Sequence, residues 1–216
     1  SINYDKATED YVYGFTFEGF HTYLDDAFYQ DNVGEDEFGE VFIKRNGSGA
    51  TVRGVLLELR ANIDRVIQFE SGFTLQESFY DNPVSYSVDL YEKKEFLRSP
   101  NGYGYLLCSY MASNRFSVAT NLVYTGPMDI LHLAGAQNQG YDEFFRSSSF
   151  YVIGLKTTYT QKMKEIGVKL EYSVGVKNLT NSYQQEFDIL KERDSNFIYG
   201  PSSPRTVFFS LVLKSI

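Results

Sequence analysis

Val168 to Lys177 alternates without a break. Val168, Leu170, Tyr172, Val174 and Val176 are apolar, while Lys169, Glu171, Ser173, Gly175 and Lys177 between them are polar or small. A period of two places the five apolar side chains on one face of an extended strand and the polar ones on the other. Arg205 to Lys214 alternates again after a loop. That loop opens on Asn178-Leu179-Thr180-Asn181-Ser182-Tyr183 and closes on Arg193-Asp194-Ser195-Asn196-Phe197-Ile198-Tyr199-Gly200-Pro201. A half-buried sheet and a barrel wall both produce such strands, so the rest of the chain has to decide between them.

The same period runs through most of the sequence. Tyr13, Phe15, Phe17 and Tyr23 oppose Thr16, Glu18 and Thr22. Val55, Leu57 and Leu59 oppose Gly54, Glu58 and Arg60, with Leu56 as an apolar exception on the polar side. Ile67, Phe69, Phe73 and Leu75 oppose Gln68, Glu70, Thr74 and Gln76. Phe116, Val118, Leu122 and Tyr124 oppose Ser117, Asn121 and Thr125. Tyr151, Ile153, Leu155 and Tyr159 oppose Gly154, Lys156 and Thr158. From Tyr103 to Met111 the apolar residues Leu106, Leu107, Tyr110 and Met111 fall on both faces, and the pattern assigns no sides. Helical periodicity is confined to Thr180–Arg193, where Tyr183, Phe187, Ile189 and Leu190 suggest a short helical turn.

About eight strands result, and their connections alternate in length. Short turns fall near Ala61, Ser113 and Glu165; long polar connections fall near Asp31, Val88, Ala136 and Asp188. Within the first long connection, Glu40-Val41-Phe42-Ile43-Lys44 reads as extended chain climbing back toward the sheet. In an up-and-down sheet this alternation gathers all long loops at one end. Outer-membrane barrels have that asymmetry, whereas Greek-key sandwiches have no reason for it. The expected fold is all-β, an antiparallel up-and-down transmembrane barrel segment. Charged and polar residues on the polar faces (Glu18, Glu58, Arg60, Gln68, Glu70, Lys156, Lys169, Glu171, Lys177) would then line a wet lumen, with Tyr and Phe as interfacial girdles.

Composition bounds the function. Tyr 18 and Phe 18 with Trp 0 favour strands. A mean hydropathy of −0.31 and no long apolar run exclude a membrane-spanning helix. They do not exclude barrel strands, whose two faces average to polar. A net charge of −8 argues against a nucleic-acid partner. Cys108 is the only cysteine, so there is no disulfide framework and no thiol metal site. No leader precedes the strands, so the expectation is an intracellular chain or a mature or cut piece of a longer one.

Several segments resemble one family, the TonB-dependent outer-membrane receptors. Asn178-Leu179-Thr180-Asn181-Ser182-Tyr183 looks like their Asn-Leu-Phe-Asn-x-Tyr signature. Arg193, Asp194, Tyr199, Gly200 and Pro201, then Pro204 and Arg205, resemble their pre-terminal loop and the opening of the last strand. Asn46 to Glu58 is similar to a Gly-rich segment leading into a Gly-Val-Glu-Leu-Glu strand, with Leu56 in place of the first Glu. Phe96-Leu97-Arg98-Ser99-Pro100-Asn101 and Tyr124-Thr125-Gly126 match recurring segments that open and close strands. The resemblance spans Tyr11 to Lys214. One departure is the end. Such chains finish on an outward-facing aromatic, but here Val207, Phe209, Leu211, Leu213 and Ser215 share the outward parity and Ile216 stands one residue out of register.

The resemblance implies a barrel of about 22 strands closed around a plug. About eight strands cannot build it. Residues 1–216 are therefore expected to be the C-terminal portion of such a barrel, with the plug and earlier strands outside it. The strands at Tyr11 and Arg205 would be its edges. The implied activity is import of a scarce nutrient, such as an iron chelate, haem or cobalamin, across a Gram-negative outer membrane. The implied partners are outer-membrane lipid, the remaining strands and plug, the inner-membrane TonB energy complex and a surface-exposed lipoprotein. The alternative is a stand-alone outer-membrane or soluble β-sheet protein binding surface carbohydrate. A small outer-membrane enzyme is a weaker one.

No residues assemble a catalytic set, and no cofactor or metal ligand cluster is expected. His21 reads as a wall residue and His132 as a loop residue; no serine has His and Asp at a recognisable spacing. The acidic run Asp31 to Glu40 lacks calcium-loop spacing and reads as a solvated loop. The Asn46 and Asn178 sequons read as chance. Ligand contacts are expected from the long loops: Tyr141, Phe144, Phe145 and Tyr199 offer stacking faces, and Arg98, Arg146 and Arg193 offer charge to an anionic chelate. The competing reading is that Phe96, Phe197 and Tyr199 pack the loops onto the rim.

Overall fold

The computed structural model describes residues 1–135, 139–191 and 193–215. The off-register Ile216 lies outside the described residues. In chain order the strands are β1 (Ile2–Ala7), β2 (Tyr11–Leu24), β3 (Phe28–Asp36), β4 (Gly39–Asn46), β5 (Ala50–Ile63), β6 (Ile67–Val84), β7 (Lys93–Glu95), β8 (Gly102–Ser113), β9 (Phe116–Thr125), β10 (Asp129–His132), β11 (Glu143–Arg146), β12 (Phe150–Met163), β13 (Val168–Lys177) and β14 (Thr206–Ser215). One antiparallel sheet runs β1-β2-β5-β6-β8-β9-β12-β13-β14, with the short β7 paired beside β6. Every neighbour on that path is the next wall strand in sequence, so it is an up-and-down meander. Its ends, β1 and β14, are not joined to each other.

The register carries two continuous faces across the sheet. One row runs Phe17, Leu57, Phe73, Gly104, Tyr124 and Tyr151. A lower row runs Tyr159, Tyr172 and Leu211. Both belong to the apolar face. The opposite face carries Glu18, Glu58, Arg60, Glu70, Lys156, Lys169, Glu171 and Lys177, as the alternation required. The strand at Tyr103–Met111, which the sequence left unassigned, is settled by its partners. Leu106 opposes Leu122 and Tyr110 opposes Val118 on the apolar face; Leu107 opposes Asn121 on the polar face.

Almost none of the apolar face is covered. Leu57 is 43% exposed, Tyr151 50% and Phe209 83%. A soluble sheet hides such a face beneath a second layer; here the buried cluster of Met128, Ile130 and Phe197 lies in the loops instead. An apolar surface of this extent requires an apolar surrounding or another protein.

Four expectations change. Ile2–Ala7 is a ninth wall strand, and it, not the Tyr11 strand, is the edge. Only six residues long and ending in Asp5-Lys6-Ala7, it shows too little alternation to be read. The Glu40–Lys44 stretch does not join the main sheet. β3 and β4 pair with each other as a separate hairpin, with a bulge between Asn32 and Glu35. The connection between β9 and β12 holds a second small hairpin, β10–β11. The helical turn at Thr180–Arg193 is not formed among the described residues. Phe187, Ile189 and Leu190 are 54–63% exposed, so little apolar burial holds a helix there. Nearby polar side chains hold the backbone in non-helical turns instead.

Long connections do gather at one end. β2–β5, β6–β8, β9–β12 and β13–β14 are joined through the hairpins and loops, while β1–β2, β5–β6, β8–β9 and β12–β13 turn within a few residues. The last of these is a single 3₁₀ turn, Lys164–Ile166, closed by Gly167 at φ 66°.

Several polar-face glycines lie under a neighbour's side chain. The Phe208 ring lies over Gly175, and a Cβ built there would sit 2.4 Å from Phe208 Cζ and 2.8 Å from the Leu155 carbonyl oxygen. Gly175→Val is expected to lower stability by about 1–3 kcal/mol through overpacking. The urea midpoint of the folded chain measures it, and an unchanged midpoint would show that the ring swings away freely.

Candidate functional site

Three long connections fold together over the end of the sheet. The β9–β12 loop supplies Met128, Ile130, His132 and Phe145. The β13–β14 loop supplies Phe197 and Tyr199, and the β6–β8 loop supplies Tyr86, Tyr91, Lys93 and Arg98. His132 is buried and lies flat on the Phe197 ring, with centroids 3.7 Å apart and planes 7° from parallel. Its Nε2 stands 3.0 Å from both Asp188 oxygens, and Nδ1 is 3.6 Å from Glu143. Phe145 meets Phe197 edge-on at 5.2 Å and Tyr199 at 5.6 Å. A stacked and edge-packed aromatic group of this kind adds roughly 0.5–1.5 kcal/mol per pair beyond burial alone.

Polar side chains close the loops on themselves. Asn178, 2% exposed, donates from Nδ2 to the carbonyls of Ser182 and Ser203 (both 2.9 Å) and accepts from Ser182 N–H. It thereby ties the beginning of the β13–β14 loop to its end. Asn181 accepts from Arg205 N–H at 2.9 Å. Both asparagines sit at positive φ, 49° and 52°, which Asn tolerates better than most residues. Gln184 is buried. It donates to the carbonyls of Glu186 and Phe197 and accepts from Tyr199 N–H. Asp194 accepts from Leu133 N–H at 3.1 Å and so joins this loop to the β9–β12 loop. Ser87, fully buried, donates to Asp142, whose other oxygen accepts from Ala134 N–H.

Asp129 anchors the charge in the cap. Its carboxylate pairs with Lys93, and with Arg146 at 2.7 Å. Burial alone would push its carboxyl up, but the hydrogen bonds and charges of Lys93 and Arg146 outweigh it and hold it below the ordinary 3.8. A depressed folded value stabilises above the unfolded one and is lost as pH falls through the folded value. The cap is therefore expected to loosen below about pH 4, seen as faster amide exchange at Asp129–His132. In Asp129→Asn this pH dependence should be absent; its persistence would assign it to another carboxylate.

By sequence, the chain matches no family model and no curated protein. Solved structures do match. Against the ferric-catecholate import receptor Fiu of Escherichia coli K12, the TM-score is 0.60 at 19% identity, covering 95% of this chain and 25% of that one. The copper transporter OprC gives 0.62 at 17% identity, covering 98% and 30%. The ferripyoverdine receptor of the Pseudomonas aeruginosa outer membrane gives 0.59 at 17%, covering 94% and 24%. The chain has the fold of a TonB-dependent receptor barrel wall. It spans about a quarter to 30% of the length of these receptors.

On this wall, the seven loop residues picked out by sequence fall in different places. Tyr141 is 67% exposed beside the β10–β11 hairpin. Phe144 is ringed by Tyr86, Tyr91 and the Lys93 ammonium, which lies 4.7 Å from its centroid. Phe145 and Tyr199 belong to the packed cap. The Tyr199 hydroxyl donates to Glu186, and burial with that carboxylate pushes its acidity weaker still. Arg146 is paired with Asp129. Arg98, at φ 58°, donates to the Ile198 carbonyl at 2.8 Å and straps two loops together; Arg193 donates to the Leu190 carbonyl at 3.4 Å. Phe96 packs on Tyr80 at 4.4 Å, as rim packing requires. Sequence reasoning did not single out Gln184, Asp188 or Asp129. Their roles depend on contacts between separate loops, and only the Asn-rich opening of the β13–β14 loop signalled a closed loop.

Proposed function

We propose that this chain is the C-terminal part of the barrel of a TonB-dependent outer-membrane receptor that imports a scarce nutrient. The observation that carries the reading is the uncovered apolar face running through all nine wall strands, with every long loop at the opposite end from every short turn. That combination suits a lipid-embedded wall with its loops outside the cell. It disfavours the soluble carbohydrate-binding alternative, because no second layer covers the sheet among the described residues. The likeness to receptor walls and the Asn178–Tyr183 and Arg193–Arg205 motifs support the same assignment.

On this reading β1 and β14 pair with strands of the same receptor outside residues 1–216, and a plug fills the lumen. The TonB complex of the inner membrane drives the plug, and a surface lipoprotein can assist at the loops. The relatives in structure include receptors for iron chelates and a copper transporter. An iron chelate is the favoured cargo, with haem and cobalamin next. Tyr141 is the exposed cap position a ligand can reach; Phe144, half-buried among Tyr86, Tyr91 and Lys93, and Arg98, Phe145, Arg146, Arg193 and Tyr199 shape the loops around it. No catalytic role is assigned to any residue. The test is deletion of the encoding gene, followed by growth on defined iron-chelate, haem and cobalamin sources. Loss of growth on one identifies the cargo, and unchanged growth on all three rejects this substrate class. In parallel, the protein should require detergent and change its gel mobility on boiling. A chain soluble without detergent would overturn the wall assignment.

A further inference from the structure

The polar face of the wall gathers cations at the short-turn end of β12 and β13. Lys162 stands directly opposite Lys169, and Lys169 directly opposite Lys214, so three ammonium groups share one row across three strands. Like charges directly opposed weaken a sheet. One carboxylate serves this row. Glu171 accepts from Lys169 at 2.7 Å and from Lys214 at 2.8 Å, and Lys162 is left over. Arg115 lies close by, its carbonyl accepting from Thr160 N–H at 2.7 Å. Six residues back along β12, Lys156 stands between Ala119 and Gly175. Among the described residues Arg115, Lys156 and Lys162 have no ion-pair partner.

These cations line a recess of about 490 Å³ in the inner surface of the wall, a volume typical of small-molecule sites. Small side chains from three neighbouring strands make its floor: Ser109, Ser117, Ala119, Thr158 and Thr160. The hydroxyls of Ser109, Ser117 and Thr160 form no hydrogen bond among the described residues. The one carboxylate lining the recess among the described residues is Glu171, which two ammonium groups already hold. Toward the long-loop end the polar face changes character. There β8 and β9 carry no charged residue, and Tyr105, Leu107 and Val123 form an apolar stripe, 38–45% exposed. The cations are thus confined to one place. Free N–H and O–H donors around a hollow with no free carboxylate suit an oxyanion, since charge-assisted hydrogen bonds are the strong ones. Lys156 and Lys162 are roughly 20 Å apart along the β12 backbone. One small ion cannot meet both ends, so the recess suits an anion with more than one charged group.

We infer that this recess binds a small anion bearing two or more oxyanionic groups, such as a diphosphate or a polycarboxylate. The inference rests on the reading above that this face lines the lumen. It adds a ligand site near the short-turn mouth, at the far end of the wall from the loop cap.

The test uses the whole protein that carries this chain, purified in detergent. Pyrophosphate and tricarballylate, a tricarboxylate, are titrated calorimetrically at constant ionic strength in sodium chloride. At least one should bind saturably, and the one preferred names the oxyanion as phosphate or carboxylate. Arg115→Gln combined with Lys162→Gln should weaken that binding by about tenfold or more, while Lys94→Gln in the β6–β8 loop should leave it unchanged. Stability gives a second readout. Lys162→Gln alone removes one like charge from the row, so without anion its urea midpoint should rise above wild type. The anion should raise the wild-type midpoint and leave that of Lys162→Gln nearly in place. Binding of neither anion would overturn the inference and leave these cations to the plug. Equal affinity in the double variant would overturn it too, as would a wild-type midpoint rise that sodium chloride alone reproduces. A wild-type protein whose gel mobility does not change on boiling would overturn the wall reading itself, a result read independently of the titration.

Discussion

Leu57→Arg is expected to destabilise the protein in lipid bilayers by about 2–4 kcal/mol, the cost of an arginine on the lipid face near mid-membrane. Leu57 is 43% exposed in the middle of β5, between Phe17 on β2 and Phe73 on β6. Its neighbour provides the control. Leu56 points to the opposite face, where its partners across the sheet are Glu18 and Thr74. Leu56→Arg places the same side chain on the polar face, away from lipid and beside the Glu18 carboxylate, and its cost should stay below about 1 kcal/mol. Unfolding in urea from lipid vesicles measures both. Equal costs would mean that the apolar face is not in lipid, and the membrane assignment would fall. The comparison is sharp because the two sites are adjacent in sequence and share one strand, one depth and one substitution. Only the face differs.

The wall was legible because one physical rule generates it. Alternation fixed which residues share a face, and Val168–Lys177 appears in the structure with the sides read from its sequence. Short and long connections gave the up-and-down order without any contact information. Where the rule weakens, so did the reading. Ile2–Ala7 is too short to show a period. Tyr103–Met111 has apolar residues on both faces because Leu107 and Tyr105 belong to the apolar stripe of the polar face, so only pairing with β6 and β9 could assign it. The hairpin β3–β4 has strand propensity, but propensity does not say which partner a strand takes. The loops are a different kind of problem. Phe187, Ile189 and Leu190 mimic a helical face, yet the chain there is set by Asn178, Gln184 and Asp194, each bonding to backbone far along the sequence. A polar side chain that stitches two distant segments leaves no periodic trace. For the same reason no periodicity shows that Arg98 straps two loops, that Arg146 pairs with Asp129 or that Tyr199 packs on Phe145.

Gln184→Leu should release the β13–β14 loop while leaving the wall intact. The Gln184 side chain is 2% exposed. It satisfies the Phe197 carbonyl at 2.9 Å and the Tyr199 N–H at 2.9 Å, with Gly200 N–H at 3.4 Å. Leucine matches it in bulk and offers none of these bonds. Each buried backbone group left unpaired costs about 1–3 kcal/mol, so the loop should lose roughly 2–4 kcal/mol of local stability. That is comparable to what the aromatic packing around Phe197 contributes, so the cap should open rather than strain. No space exists for a compensating shift from the other side, because a Cβ at Gly200 would already approach Gln184 Cβ to 2.7 Å. The expected result is rapid proteolysis between Glu186 and Gly200 and loss of amide protection at Phe197 and Tyr199. The urea midpoint of the barrel should not move, since none of the wall's strand pairs involves this residue. Because His132 stacks on Phe197 and Asp188 holds His132, the opening should spread to the β9–β12 loop and reach Ile130, but not Tyr151 on the wall. Protection unchanged at Phe197 would show that the aromatic stack alone holds the cap. A fall in the barrel midpoint would show that cap and wall unfold as one unit.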